Sequence, residues 1–374
     1  MLGHLGFLFV PQAEDAFIVG LGTGQTAAAV VSHPGVRVTV AELSEGVIEA
    51  QQLFVPYSGH VLERPEVTLV HGDARQVLRA ARPETFDLVV SEPSNPWIVG
   101  IADLFTQDHF ERVRSRLKPG GVLVQWIHKY QIGDALFKDT LCTLRHVFPA
   151  VWAFRMSLGE VALVASDRTT EPDLAAAAQA FLAPAVVAKL RGHGLTLIPD
   201  SLDELLATQL SGPATFDAIC QGFSRPFRER RPRLDYEAPR DMFARRSAEQ
   251  LRREIDRRTV RGEPLLLSRW LATHPLDEPR KRALFDFLMA DPHPLEEPMR
   301  LALVPPDRWP PVLRSVALAL PDPGTLSSAE RKTTCDTLAQ RTPVIAEAGH
   351  TPLGPISVRA AAWTDVCSER RASR

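Results

Sequence analysis

Between residues 16 and 166, short apolar runs rich in β-branched residues alternate with helical patterns, and this alternation limits the fold more than any other feature of the chain. Parallel strands need long crossovers, and sheets built from strand–helix–strand units are covered on both faces. AFIVG (16–20) reads as a buried strand, followed by a Gly-rich turn and the helix of TAAAVVS. RVTVAEL (37–43) reads as the second strand, with VIEAQQLF (47–54) as a helix. VTLVHG (67–72) is the third strand, RQVLRAA a short helix and FDLVVSE (86–92) the fourth strand. DHFERVRSRLKPGG (108–121) reads as a helix closed by Pro-Gly-Gly, and VLVQWI (122–127) as the fifth strand. VWAFRMS (151–157) and VALVAS (161–166) form an expected antiparallel pair that closes the sheet. The fold class is therefore α/β, with a mostly parallel sheet.

Helical patterns dominate the rest: DLAAAAQAFL, AVVAKLRGHG and SLDELLATQL, then the Pro-broken basic segment SRPFRERRPRLDYEAPRDMF (224–243). Amphipathic stretches such as AEQLRREIDRR and RKRALFDFLM follow. A length of 374 residues fits two or three domains, read as 1–168, a helical extension at 169–245 and a C-terminal helical region at 246–374. A net charge of -2 excludes a strongly basic nucleic-acid binder. In the one dense basic cluster, Glu229, Asp235 and Glu237 offset the arginines, so a salt-bridged connection is expected and no nucleic-acid partner. Cysteines at 142, 220, 335 and 367 lack C-x-x-C spacing, which predicts neither a metal site nor a disulfide framework and points to a reducing, cytoplasmic setting. MLGHLGFLFV is apolar but too short to cross a bilayer and lacks a basic flank, so no signal peptide or membrane insertion is expected.

The Gly-rich turn IVGLGTGQTA holds the strongest local signal. Gly20, Gly22 and Gly24 follow a buried strand and open a helix, where a ligand can approach the backbone closely. Glu42, about 20 residues on at the end of the second strand, is placed to accept from a ribose diol. Asp73, followed by Ala74, ends the third strand; it is placed either to meet an adenine amino group or to cap the next helix. In SEPSNPW (91–97), Glu92 emerges at the end of the fourth strand, where a carboxylate can bind or deprotonate an amine. The bland alternative is a rigid loop whose Glu caps the next segment. Trp97 offers a flat wall, and His128, Lys129 and Tyr130 follow the fifth strand towards the same crevice, although a lone His there is more often structural. The G-x-G-x-G spacing argues against NAD.

In order, VGLGTGQTA, ELSEGVIEAQQLF, PEVTLVHGDARQVL, FDLVVSEPSNPW, LFTQDHF and LKPGGVLVQW resemble the spermidine synthase (polyamine aminopropyltransferase) family. The bacterial spermidine-synthase-like proteins often fused to membrane segments are most similar. They share the E-P-S-N-P-W loop and a stretch like RPRLDYEAPR (231–240). The likeness covers about residues 2–243. It implies a class I methyltransferase-like Rossmann fold with a seven-stranded sheet, decarboxylated S-adenosylmethionine as donor, a diamine such as putrescine as acceptor, and a homodimer. By resemblance, Gly20, Gly22, Thr23 and Gly24 surround the donor, Glu42 meets its ribose, Asp73 and Ala74 its adenine, and Glu92 stands at the catalytic Asp. Asn95 and Trp97 fall on the acceptor side.

Three departures bear on substrate. Thr23 stands where the family has an Asp for the donor's amino group, Glu92 is one methylene longer than the catalytic Asp, and Asn95 replaces a second acid. The family's N-terminal β-hairpin is expected to be missing before the first strand, either because the start is truncated or because another chain covers the pocket. Methyl transfer from S-adenosylmethionine, and a catalytically degenerate binding protein, are the alternatives.

Overall fold

In the computed structural model the run Asp15–Val19 forms a central strand, β1, in which Ala16, Phe17, Ile18 and Val19 are all buried. Such unbroken burial marks a strand covered on both faces. Beside it lie β2 (Arg37–Glu42), then β3 (Val67–His71), and on the other flank β4 (Phe86–Ser91) and β5 (Leu117–His128). All of these pairings are parallel. β6 (Ala150–Ser157) and β7 (Glu160–Ser166) extend the order to β3-β2-β1-β4-β5-β7-β6, with β7 antiparallel to both neighbours, and the short strand Gln209–Ser211 follows β6, so the sheet has eight strands, one more than the seven expected. This is the expected mostly parallel sheet with its closing pair.

The structure describes residues 1–157, 159–169, 171–191, 199–248, 263, 265–289, 316, 319–341, 363 and 366–367. Two compact units divide the chain: Met1–Leu202 with Ser211–Arg258, and Asp203–Leu210 with Thr259–Arg374. The described residues of 169–202 and 211–245 fall in the same unit as the sheet. AEQLRREIDRR lies almost wholly outside the described residues.

Short helices connect the strands. MLGHLGFLFV forms α1 (Leu2–Leu5) and a 3-10 turn, buried among Val30, Phe181 and His33, with the Phe7 ring stacked 3.4 Å from that of His33. Helix α2 (Gln25–Val31) follows the Gly-rich turn, and α3 (Glu45–Ala50) starts at Ser44, whose hydroxyl accepts from the Val47 amide. The helix expected over 47–54 instead tightens to 3-10 geometry at Gln51–Phe54 and resumes as α4 (Val55–Ser58), where Pro56 fits the first turn. α5 is Ala74–Ala80 and α6 is Gln107–Arg116.

The sequence closes this helix at Pro-Gly-Gly (119–121), but α6 ends at Arg116 and Leu117 already pairs with Phe86. Lys118 reaches back to Asp87 (2.8 Å) and Asp15 (3.0 Å), which fixes the chain on the sheet before Pro119. A register shift between Phe86 and Leu88 absorbs the Pro-Gly segment, a common device next to a proline in a strand.

α7 (Asp134–Val147), α8 (Leu174–Phe181) and α9 (Pro184–Arg191) continue the first unit. The supposed connection at 224–243 is helical from Arg233 to Phe243, with Pro239 inside. Several of its charges are paired: Glu229 with Arg112 at 3.2 Å, Arg233 with Glu237 at 3.0 Å and with Asp139. SLDELLATQL is helical only over Leu202–Ala207 and turns into the strand Gln209–Ser211.

The cysteine expectation is overturned. Cys142 of α7 is bonded to Cys220, and Cys335 to Cys367. The partners lie 78 and 32 residues apart, so no local spacing motif marks them. In the second unit, Leu266–Thr273, Glu278–Met289 and Ser328–Arg341 are helical, and Asp203 accepts from Trp270 Nε1 at 2.9 Å and pairs with Arg280 at 2.8 Å.

Candidate functional site

The strand order reverses between β1 and β4, and ligands of such sheets bind where that reversal opens the carboxyl edge. Val19 and Ser91 are register partners there, so Gly20 and Glu92 leave the sheet side by side. Gly20 has φ +86° and Gly24 φ +74°, a region that side-chain-bearing residues seldom adopt. Gly24 is also crowded: an added Cβ would lie 2.5 Å from Gln51 Nε2. That amide donates to the Thr23 carbonyl (3.2 Å) and the Ser58 hydroxyl (2.9 Å), holding the turn against α4.

A cavity of about 970 Å³ opens over this edge. Its wall contains Gly20, Leu21, Gly22 and Thr23 of the turn, Gln25 and Thr26 of α2, and Glu92. Pro56 and Tyr57 of α4, Met156 of β6 and Lys189 of α9 close other sides, together with the first residues of the chain. A Cβ on Gly22 would meet nothing within 4 Å, so the turn faces open space.

Glu92 reaches the cavity, and Thr26 Oγ1 donates to its Oε2 at 2.5 Å. Protein walls displace water around the carboxyl group and raise its pKa; the Thr26 bond works against that rise. Lys189 Nζ donates to the Tyr57 carbonyl at 2.7 Å, and burial lowers its pKa. Among the described residues the cavity wall presents one carboxylate and one ammonium side chain, Glu92 and Lys189.

Glu42 stands behind the turn rather than in the cavity wall. It is buried, its Oε2 accepts from the Leu21 amide and its Oε1 from the Ser44 amide, both at 2.8 Å. Each oxygen keeps a second lone pair. Asp73 caps α5 through the Arg75 amide (2.8 Å) and pairs with the Arg75 side chain at 2.9 Å. Burial favours its neutral form, but Arg75 outweighs that and holds the carboxyl below the usual range. The capping geometry is thus present, and neither Asp73 nor Ala74 lines the cavity.

The acceptor-side candidates also lie outside it. The Asn95 carbonyl accepts from the Ile98 amide at 3.0 Å, and Trp97 packs its ring 4.8 Å from that of His128. His128 is fully buried, stacked on Trp126 at 5.2 Å and beside Tyr130 at 4.4 Å. Burial lowers its pKa to about 4, so it is a neutral packed ring. Among the described residues no group of three His, Cys, Asp or Glu side chains is placed to hold a metal ion.

Thr26, Tyr57 and Lys189 were not singled out from sequence. Thr26 follows the Gly-rich turn directly and was within reach of the same argument. Lys189 carried no signal, because it meets Tyr57 across 132 residues.

This sheet order, with a Gly-rich turn and Glu92 together at its point of reversal, defines a class I methyltransferase-like Rossmann domain. Residues 1–158 match the family model for the spermine/spermidine synthase domain. Among curated proteins, putrescine N-methyltransferase 2 of Nicotiana attenuata is 30% identical over 155 residues, 40% of this chain and 40% of its own. Spermidine synthase of Dictyostelium discoideum is 33% identical over 135 residues, 34% of this chain and 46% of its own. The chain thus spans less than half the length of these relatives. The solved spermidine synthase of Thermotoga maritima superposes with a TM-score of 0.40 at 22% identity, covering 46% of this chain and 61% of that one.

Proposed function

We propose that the first unit transfers a group from an S-adenosyl sulfonium donor to an amine, with aminopropyl transfer from decarboxylated S-adenosylmethionine to a diamine such as putrescine as the first reading. The observation that carries it is the placement of Glu92 beside Gly20 and Gly22 in one cavity. The residues fit such a donor: the cavity is large enough, the turn leaves its backbone open over Gly22, and Glu42 anchors that turn from behind.

A bound sulfonium donor supplies a carbon activated by the adjacent S⁺, so that methylthioadenosine leaves without acid assistance. Glu92 receives the proton the amine nitrogen gives up as its new bond to carbon forms. A carboxylate of raised pKa is better matched to that task than an ordinary one. Thr26 fixes which way the carboxylate faces, and the cavity is positioned to hold donor and amine against each other.

Methyl transfer from S-adenosylmethionine is the second reading. It is favoured by Thr23, which puts a hydroxyl where an acid would hold the donor's ammonium, and by the likeness to putrescine N-methyltransferases. A homodimer remains an expectation from the family. No helix among the described residues is long and apolar enough to cross a membrane. The two disulfides fit an oxidising compartment better than the cytoplasm expected from unpaired thiols.

The deciding experiment is Glu92→Gln. Turnover of a diamine with either donor should be lost, while methylthioadenosine still binds within about threefold of wild type, a difference of less than 1 kcal/mol. Full activity in that variant removes Glu92 from the chemistry.

A further inference from the structure

Among the described residues Lys189 is the one lysine or arginine in the cavity wall, and it makes no ion pair there. Its hydrogen-bond partner is a neutral carbonyl, that of Tyr57, which occupies one of the three N–H donors of an ammonium group. A half-buried ammonium left with a single neutral partner is an unmatched charge, and its lowered pKa reflects that burial.

The charges around the Gly-rich turn point the same way. A donor whose side chain ends in an ammonium alone meets Lys189 as a like charge. It finds no acid in the turn, because Thr23 stands there with its hydroxyl accepting only a long bond from Gln25 Nε2 (3.4 Å). A donor that also carries an α-carboxylate gives Lys189 its missing partner. The carboxylate would replace water on the two free N–H groups, a charge-assisted contact inside a walled space.

We infer that Lys189 is a specificity residue that recognises the carboxylate of an amino-acid-bearing sulfonium nucleoside, so that this cavity selects S-adenosylmethionine over its decarboxylated form. The inference rests on the donor-site reading above and narrows it towards the second of its two reactions. It assigns the choice of donor to α9, an element about 165 residues beyond the Gly-rich turn in sequence, rather than to the turn alone.

Calorimetry on the full chain tests it, using S-adenosylmethionine, decarboxylated S-adenosylmethionine and methylthioadenosine, which lacks both charged groups. Wild type should bind S-adenosylmethionine at least about tenfold more tightly than the decarboxylated form. K189M should lose that preference while binding methylthioadenosine as before, K189Q should behave like K189M, and K189R should retain the preference. An unchanged ratio of the two affinities in K189M and K189Q overturns the inference, as does a wild-type preference for the decarboxylated form; in either case retained methylthioadenosine binding leaves the donor site standing. Failure of wild type to bind methylthioadenosine removes the donor site and this inference with it.

Discussion

The hydroxyl of Thr26 donates to Glu92 Oε2 at 2.5 Å, joining the first turn of α2 to the end of β4 across the cavity floor. The walls disfavour the ionised carboxylate; the Thr26 bond and the positive charge of the Met1 amino group favour it, and Glu160 pushes in the same direction as burial. Removing the bond by Thr26→Val should raise the Glu92 pKa further. A base works only above its pKa, so the acid limb of the pH–rate profile should move to higher pH, by about half to one unit. Thr26→Ser should restore the wild-type limb. An unmoved limb in Thr26→Val would mean that the hydroxyl does not govern this ionisation.

Gly24 offers a second test. Alanine there must adopt φ +74° and would bring its Cβ within 2.5 Å of the Gln51 amide. That amide cannot swing aside without giving up Thr23 and Ser58. Gly24→Ala should destabilise the first unit by about 1–3 kcal/mol and weaken methylthioadenosine binding, read by urea unfolding and calorimetry. Gly22→Ala has open space around its Cβ, though its φ of +51° still strains it.

Much of the site was legible because its signals are local. Gly20, Gly22 and Gly24 announce a turn that needs positive φ, and each adopts it. Glu42 and Glu92 sit at strand ends that period and burial locate. What escaped is tertiary. The same Asp73 sequence serves a cap or a ligand, and only the Arg75 side chain, drawn onto its carboxylate, shows the cap in place. Lys118-Pro-Gly-Gly looks like a helix stop until Asp15 and Asp87 are seen to hold Lys118 on the sheet. Lys189 and Tyr57, like Cys142 and Cys220, meet only after the chain has folded.

Glu42 should prove structural as much as ligand-binding. Its two oxygens serve two backbone donors, Leu21 N–H and Ser44 N–H, each at 2.8 Å. In Glu42→Gln one of those donors must face an NH₂ group. The buried mismatch should cost about 1–3 kcal/mol in urea unfolding and loosen the Gly-rich turn. Unchanged stability would show that the turn holds its shape without this carboxylate.

At the opposite edge of the sheet, Asp15 accepts from Arg37 (2.7 Å) and Lys118 (3.0 Å). Burial acts to raise its pKa, but Lys118 and then Arg37 outweigh it and the folded value lies below that of the unfolded chain. Its stabilising contribution is therefore present above the unfolded value of about 4 and is lost as pH falls through the lower folded one. Asp15→Asn should flatten the acid side of the stability curve. At pH 7 it should cost less than about 1 kcal/mol, because the pair is partly solvated, and the difference should shrink in high salt.

The Cys142–Cys220 bridge ties α7 to the end of the helix Pro213–Cys220. Closing a separation of 78 residues restricts the unfolded chain, an effect of about 2–4 kcal/mol for natural bridges. Urea unfolding of the oxidised protein should therefore show a higher midpoint than the same protein in excess reductant. The double variant Cys142→Ser/Cys220→Ser, which keeps Cys335–Cys367, separates the two bridges. Its first-unit midpoint, followed through the buried Trp152, should match that of reduced wild type and no longer respond to reductant. If oxidised wild type already unfolds at the reduced midpoint, the two thiols are not joined in solution, and the argument for an oxidising compartment loses one of its two supports.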